Sequence, residues 1–380
     1  MLLLHFLNVE NGDCTIVEYN DGTHRRFGVI DCNRTRTRKS PALDKLKSLG
    51  AADLEFVCIT HPDKDHYAGI SDVLDYYQGK IASFMTFPLA SVLTDQERLK
   101  KYAKKVLALA NLADDEDIAS RHLELVQILK HASENFLPDN WIEVSGDFDR
   151  LGVSGFGPVE FYGISPPKRM RGQIAQMVLD PNEIATVNNN EISVAIEMHY
   201  AGRRIVLGGD SVDENWEWHR KYRAKVNATI ASNVVKLPHH GSRYDNSPET
   251  LDDFFDGIDD SIAIISAGGR IHPDFETIEK LQSLPCTRLC TNLFNPDERA
   301  LKRIYNNGAL TSRLRHYLNV YASPLVARPT PCKGDIVVSI SPDGAISSQT
   351  EYNTVCGCTK SFSASGLPTL PSTPAIRSVP

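Results

Sequence analysis

The sequence predicts an α/β (α+β) fold in which a β-rich scaffold carries a helical insertion. Three features point there. Short apolar, β-branched runs recur along the chain, the run from Leu54 to Ile59 being the clearest. Asp-Gly and Ala-Gly turns separate several of these runs, as antiparallel hairpins require. Between about residues 91 and 137 the apolar period changes from that of strands to that of helices.

The elements follow in order. Strands are expected near His5–Val9, Thr15–Tyr19 and Arg26–Asp31, joined by the turns Glu10-Asn11-Gly12-Asp13 and Asn20-Asp21-Gly22. Residues from Pro41 to Leu49 read as a helix stopped by Gly50. A buried strand from Leu54 to Ile59 leads to a helix expected from Ala68 to Tyr77. Thr94-Asp95-Gln96-Glu97 is a capping box, followed by Leu99, Tyr102, Ala103, Val106 and Leu107 at helical spacing. A second inserted helix is expected from Asp117 to His131, with Leu123, Val126, Ile128 and Leu129 as its apolar stripe. On these helices His122 and His131 read as ordinary residues. Further strands are expected near Val159–Ile164, Ser193–His199, Arg204–Leu207, Asn233–Leu237 and Ser261–Ser266. A helix is expected from Asp274 to Leu284, and a late hairpin from Asp335–Ile340 and Ala345–Ser348 around Pro342-Asp343-Gly344. Region 285–330 shows no regular pattern. From Lys360 onward Ser, Pro and Thr prevail, as in a disordered tail. The expected organisation is one large domain over 1–350 and a tail over 351–380.

Composition narrows the function classes. Of the 380 residues, 41% are hydrophobic and 23% charged, which suits a soluble globular chain. No apolar run is long enough to cross a bilayer. The opening Met1-Leu2-Leu3-Leu4-His5-Phe6-Leu7 is too short for a signal peptide and reads as a strand. A cytoplasmic protein with no membrane partner is the expectation. A net charge of −7 argues against a surface built throughout for nucleic acid, so local basic runs matter more. One run is Arg34, Arg36, Arg38 and Lys39, which follows a candidate active-site strand and is a candidate phosphate contact. The other, Arg98, Lys100, Lys101, Lys104 and Lys105, reads as the solvated face of a helix. Among eight cysteines, Cys14, Cys32 and Cys58 fall in expected strands and read as reduced core residues. Cys286 and Cys290 with Cys356 and Cys358 are a candidate structural zinc set.

The densest chemistry lies in Thr60-His61-Pro62-Asp63-Lys64-Asp65-His66-Tyr67-Ala68-Gly69. Two imidazoles and two carboxylates follow a buried strand on a tight loop, where short spacing aims them at one point. Imidazole plus carboxylate is the ligand set of a hydrolytic metal centre. Other apolar runs also end in polar groups. Gly28-Val29-Ile30-Asp31 and Ile205-Val206-Leu207-Gly208-Gly209-Asp210-Ser211 end in carboxylates. Leu237-Pro238-His239-His240-Gly241-Ser242 ends in paired imidazoles, and Gly268-Gly269-Arg270-Ile271-His272-Pro273 in an arginine and a histidine. Core packing does not explain so many ionisable strand ends, because an ionised Asp is rarely buried without a partner.

The order His-x-Asp-x-Asp-His, Gly-Gly-Asp-Ser, Leu-Pro-His-His-Gly-Ser and a late His-Pro resembles the metallo-β-lactamase superfamily. Within it, Val9-Glu10-Asn11-Gly12-Asp13-Cys14 and Asn188-Asn189-Asn190-Glu191-Ile192-Ser193-Val194 resemble the soluble hydrolase domain of ComEC-type DNA-uptake proteins and its stand-alone relatives. The resemblance covers residues 1–275 and the hairpin at 335–348. It implies a four-layer αββα sandwich with metal at one edge between two sheets. It also implies roles. His61 and Asp63 would bind one metal, Asp65 and His66 a second, with Asp210 bridging. One or both of His239 and His240 would complete the second site or contact substrate. Asp31 would orient a ligand imidazole. Ser242, Arg243 and His272 would face substrate, with Arg34, Arg36 and Arg243 as phosphate clamps. Asp65 would also handle the attacking water, and His240 or His272 would steady developing charge or protonate the leaving group.

Asp63 stands where the superfamily pattern has a second histidine, and no third histidine is evident between Gly69 and Asp210. More carboxylate and less imidazole favours Mn²⁺ or Mg²⁺, with Zn²⁺ as the other candidate, in one or two copies. The expectation is a metal-dependent phosphodiesterase or nuclease acting on nucleic acid or nucleotides. A hydrolase of carboxylic esters, lactones or thioesters is the alternative, and a non-catalytic module on the same fold is the third. The helical insertion is a candidate lid or partner surface.

Overall fold

The computed structural model describes residues 1–35, 37, 40–88, 116–136, 139–170, 188–226, 228–268, 272–292 and 333–353. Their strands are β1 (Leu2–Phe6), β2 (Cys14–Asn20), β3 (Arg25–Cys32), β4 (Leu54–Ile59), β5 (Ile81–Thr86), β6 (Trp141–Glu143), β7 (Asp149–Arg150), β8 (Glu160–Ser165), β9 (Ala195–Tyr200), β10 (Arg203–Leu207), β11 (Val234–Lys236), β12 (Ser261–Ile265), β13 (Cys286–Cys290), β14 (Ile336–Ile340) and β15 (Ile346–Thr350). Their helices are α1 (Pro41–Leu49), α2 (Lys64–Tyr67), α3 (Ile70–Tyr76), α4 (Glu116–Asn135), α5 (Asp213–Lys225), α6 (Pro248–Phe255) and α7 (Phe275–Gln282).

The strands form two mixed sheets. The first runs β15-β14-β1-β2-β3-β4-β5-β6 and the second β13-β12-β11-β10-β9-β8-β7. In the first sheet the β3–β4, β4–β5 and β5–β6 pairs are parallel. In the second, β10–β11, β11–β12 and β12–β13 are parallel. The remaining pairs are antiparallel. Parallel runs need buried faces on both sides, and the burial of Val57, Val234, Val235 and Ile264 meets that need.

Alternation along the second sheet reveals the layers. Ile205, Leu207, Ile262 and Ile264 join one apolar cluster that also holds Leu4, Val29 and Phe56 of the first sheet. Their neighbours Val206, Ala263 and Ile265 join another with Trp216, Phe254 and Ile278 of α5, α6 and α7. Side chains of opposite parity leave opposite faces of a strand. The second sheet therefore lies between the first sheet and a helical layer. On the first sheet's outer side, α1 packs on β2 and β3, and α3 packs on α1 and α4. The layer order is helix, sheet, sheet, helix, the αββα sandwich expected above.

Local signals place some elements closely. Ser40 caps α1 by accepting from the Leu43 N–H, and Gly50 ends it at φ 72°. Other expectations change. The helix expected from Ala68 to Tyr77 is α3, and a separate short helix, α2, forms at Lys64–Tyr67 in the stretch read as a loop. The second inserted helix is α4, and Leu125, Ile128, Leu129 and Ala132 bury it in the main core, while Leu123 of the expected stripe is 43% exposed. Its C-terminal half is thus part of the sandwich rather than an appendage. The other expected inserted helix lies outside the described residues, as do Cys332, Cys356, Cys358 and the segment beyond residue 353. β13 occupies part of the stretch read as irregular. It is an edge strand paired only to β12 among the described strands, and its Cys286 and Cys290 are buried in the apolar layer against α7. Cys14, Cys32 and Cys58 are buried in the core, as expected.

Phe56 of β4 ties the two sheets together. Its ring lies 5.6 Å from both Phe161 of β8 and Phe156, and Gly28 on β3 leaves the space it fills. Phe56→Ala is expected to cost about 3–5 kcal/mol, measurable as a lower midpoint in denaturant unfolding.

Candidate metal centre

The parallel strands of both sheets deliver their C-terminal ends to one edge, the usual ligand edge of an open α/β sheet. β3 carries Asp31 one residue before its end, β4 runs into Thr60 and His61, β10 into Asp210, and β11 into His239 and His240. The backbone bends sharply there. Asp31, His239 and His240 hold φ of 55°, 43° and 53°, left-handed values unusual outside glycine. Gly12 and Gly209 have φ of 96° and 54°, and a Cβ at either would collide with the Asp65 backbone or the Val194 carbonyl.

These bends gather the side chains. Asp210 Oδ2 lies 3.3 Å from His66 Nε2, 3.4 Å from His240 Nε2, 3.8 Å from His61 Nε2 and 3.9 Å from His239 Nε2. Asp63 Oδ2 is 3.5 Å from His61 Nε2, and Asp65 Oδ2 is 3.6 Å from His240 Nε2. Asp63 stands at the N-cap of α2 but caps nothing; its other oxygen accepts from Asn189 Nδ2 at 2.6 Å. His61, His66 and Asp210 are buried, whereas the side chains of Asp63 and Asp65 are 41% and 39% exposed. The carboxylates form the open rim of a buried imidazole cluster.

Each imidazole is held from behind. His66 Nδ1 donates to Asp31 at 2.7 Å, and His239 Nδ1 to Asp245 at 2.5 Å. His240 Nδ1 donates to the Ser266 carbonyl at 2.9 Å. Thr60 Oγ1 gives its one proton to Asp31 at 2.7 Å, so His61 Nδ1 is the donor in its 3.0 Å contact with Thr60. With Nδ1 as the donor at the back of every ring, each Nε2 is left facing the Asp210 carboxylate. The Nε2 atoms of His61, His66 and His240 and Oδ1 of Asp210 are buried with no hydrogen-bond partner.

A buried Nε2 facing a carboxylate needs a proton or a metal ion between the two, because buried polar atoms are normally satisfied. Burial opposes a charge on His66, yet Asp210 and Asp31 push its pKa well above the ordinary imidazole value. His240 is raised in the same sense, against burial, by Asp210 and Asp13. Burial works to raise the Asp210 carboxyl, but His240 and His66 hold it well below the usual range. The cluster demands positive charge. Its oxygen and nitrogen donors suit a divalent ion, and His61, His66 and Asp210, or Asp65, His66 and His240, lie close enough together to hold one.

Other predicted residues have different surroundings. His272 is partly buried at the rim, its ring 5.0 Å from that of His239. Ser242, expected to face substrate, is buried and its hydroxyl accepts from the Tyr244 N–H at 3.3 Å. Arg34 pairs with Glu124 at 2.7 Å and Asp72 at 3.6 Å. Arg243 pairs with Glu276 at 2.9 Å. These guanidiniums are thus committed to carboxylates, and Arg36 lies outside the described residues. Sequence reasoning missed Asp13, Lys236, Asn189 and Asp245. Lys236 had a signal, a lysine inside the apolar run Val234-Val235-Lys236-Leu237.

No family model and no curated protein sequence matches the chain. Among solved structures it is similar to a mutant of CmlA beta-hydroxylase, at TM-score 0.42 and 10% identity over 76% of this chain and 52% of that one. It is also similar to the metallo-beta-lactamase fold protein YhfI from Bacillus subtilis, at 0.39 and 10% over 76% and 95%. A third is a diphosphatase from the PhnP family, at 0.34 and 12% over 73% and 81%. The chain spans about half the length of the hydroxylase. Similarity this distant carries no statement about substrate. Among the described residues, no helix is long and apolar enough to cross a membrane.

Asp210→Ala removes the carboxylate toward which the imidazoles point. The wild-type chain is expected to gain about 2.7 kcal/mol of stability from Mn²⁺ at one hundred times its dissociation constant. The variant is expected to gain none, as read by thermal unfolding with and without the ion.

Proposed function

We propose that this protein is a metal-dependent hydrolase of phosphodiesters, acting on nucleic acid or nucleotides. The observation that carries the reading is the convergence of imidazole Nε2 atoms on the buried Asp210 carboxylate, with Asp63 and Asp65 on the open side. His61, Asp63, Asp65, His66, Asp210, His239 and His240 are the residues that would hold one or two divalent ions. The carboxylate share of this set favours Mn²⁺ or Mg²⁺ over Zn²⁺. When bound, such an ion supplies Lewis acidity and an activated water for hydrolysis.

The protein's own groups do the rest. Asp31, Asp245, Ser266 and Thr60 fix the ring orientations, so the donors need no rearrangement when substrate arrives. Asp65, half-exposed and 3.6 Å from His240, orients the attacking water and takes up its proton. His272 at the rim gives a proton to the leaving oxygen. Arg34 and Arg243 are neutralised by Glu124 and Glu276, so the substrate's charge is met at the cluster and not by these arginines.

The test is hydrolysis of labelled single- and double-stranded DNA and RNA with Mn²⁺, Mg²⁺ or Zn²⁺, beside bis-p-nitrophenyl phosphate and p-nitrophenyl acetate. Mn²⁺-dependent phosphodiester cleavage is expected. In Asp63→Ala/Asp65→Ala it should fall by more than the 10–100-fold typical of losing an orienting partner. Cleavage of the acetate alone by the metal-loaded protein would move the reading to carboxylic esters.

A further inference from the structure

Behind the imidazole cluster sits a buried ion pair that the chemistry above does not use. Lys236, on β11 of the second sheet, is 2% exposed, and its ammonium contacts Asp13, in the loop after β1 of the first sheet. The same ammonium donates to the Gly209 carbonyl at 3.1 Å, one residue before Asp210. Asp13 Oδ1 lies 3.4 Å from His240 Nδ1, and Oδ2 lies 4.0 Å from His66 Nδ1. These are the back sides of the rings, opposite the Nε2 atoms. The Asp13 N–H donates to the Asp65 carbonyl at 3.2 Å, and the Asp13 carbonyl accepts from Asn33 N–H at 3.1 Å. One pair thus touches the segments that carry Asp31, Asp65, His66, Asp210 and His240.

A buried ammonium is costly, and a lysine that merely filled the core would be replaced by an apolar side chain at no loss. Its partner could instead have been an acid on its own sheet. The lysine has no room to leave, since the cavity lined by Asp13, Asp31, Thr60 and Lys236 is about 10 Å³. In charge terms, Asp13, Asp31, Asp63, Asp65 and Asp210 crowd one sheet edge, and Lys236 is the ammonium buried against one of them.

We propose that Lys236 and Asp13 form a positioning pair that sets the donor geometry and the charge of the metal cluster, holding His240 by its Nδ1 side and the Asp210 loop by the Gly209 carbonyl. The proposal rests on the metal reading above. Asp13 stands on the Nδ1 side of the His240 and His66 rings, away from the Nε2 atoms that face Asp210.

The test is Mn²⁺ binding to the full chain, by electron paramagnetic resonance titration and calorimetry, on wild type, Asp13→Asn and Asp13→Asn/Lys236→Met. The double variant removes both charges with little change of volume, so no buried ion is stranded. Unfolding of the ion-free proteins is followed in parallel. The expected result is a cooperative transition in each variant with Mn²⁺ affinity lowered about 10–100-fold and an altered spectrum of the bound ion. A pair with only a structural role would shift the unfolding midpoint and leave affinity and spectrum unchanged, and that result would overturn the proposal. A wild-type protein that takes up no Mn²⁺, Mg²⁺ or Zn²⁺ would sink the metal reading itself.

Discussion

Asp210 holds a buried carboxylate toward which the Nε2 atoms of several imidazoles point, and the surrounding fold keeps these groups together. Hydrogen bonds behind each ring use its Nδ1 and leave Nε2 facing the carboxylate. Left-handed backbone at Asp31, His239 and His240 supplies the directions. Both sheets contribute, so the cluster exists only where their strand ends meet. A divalent cation would suit this arrangement of nitrogen and carboxylate donors.

A second buried anion in the same sheet shows the opposite design. Glu197 of β9 is buried, with Arg223 at 2.5 Å, His199 at 2.5 Å and Arg204 at 3.1 Å. Burial favours the neutral carboxyl there, but these partners, His199 first, hold its pKa below the usual range. Arg223 also lies over the Phe148 ring at 3.8 Å. Every charge in that network meets a countercharge from the protein, as a structural ion pair must. Around Asp210 the protein brings a surplus of carboxylate, and that surplus separates a binding site from a brace.

Much of this was legible in the sequence because it is local. The ends of α1 follow from Ser40 and Gly50, and β4 from an unbroken apolar run. The ionisable groups after β3, β4, β10 and β11 stood out because each ended such a run. What was hidden depends on distant partners. Lys236 and Asp13 are 223 residues apart in sequence, and Arg34 and Glu124 are 90 apart. A basic run therefore read as a phosphate contact, when the described arginine in it is spent on α4. Ser242 was expected to face substrate but is buried, because a short polar motif says nothing of depth. β13 was hidden because Cys-Thr-Arg-Leu-Cys lacks an apolar run and leans on β12.

The sandwich is polar in another sense. Its tight hairpin turns, Asp21–Gly22, Ala201–Gly202 and Asp343–Gly344, close strand pairs β2–β3, β9–β10 and β14–β15 at the end away from the imidazoles. They meet around a shallow groove that also includes Tyr19 and Tyr200, and the Gly344 carbonyl accepts from Arg203 there. Gly22 and Gly202 face open space, and their left-handed φ of 98° and 73° reserves these two positions for glycine, so an attachment belongs on their neighbours. That end of the molecule is therefore the place for a dye, a surface tether or a new chain break: the cargo would sit a full strand length from the chemistry, and the reporter would read binding without taking part in it.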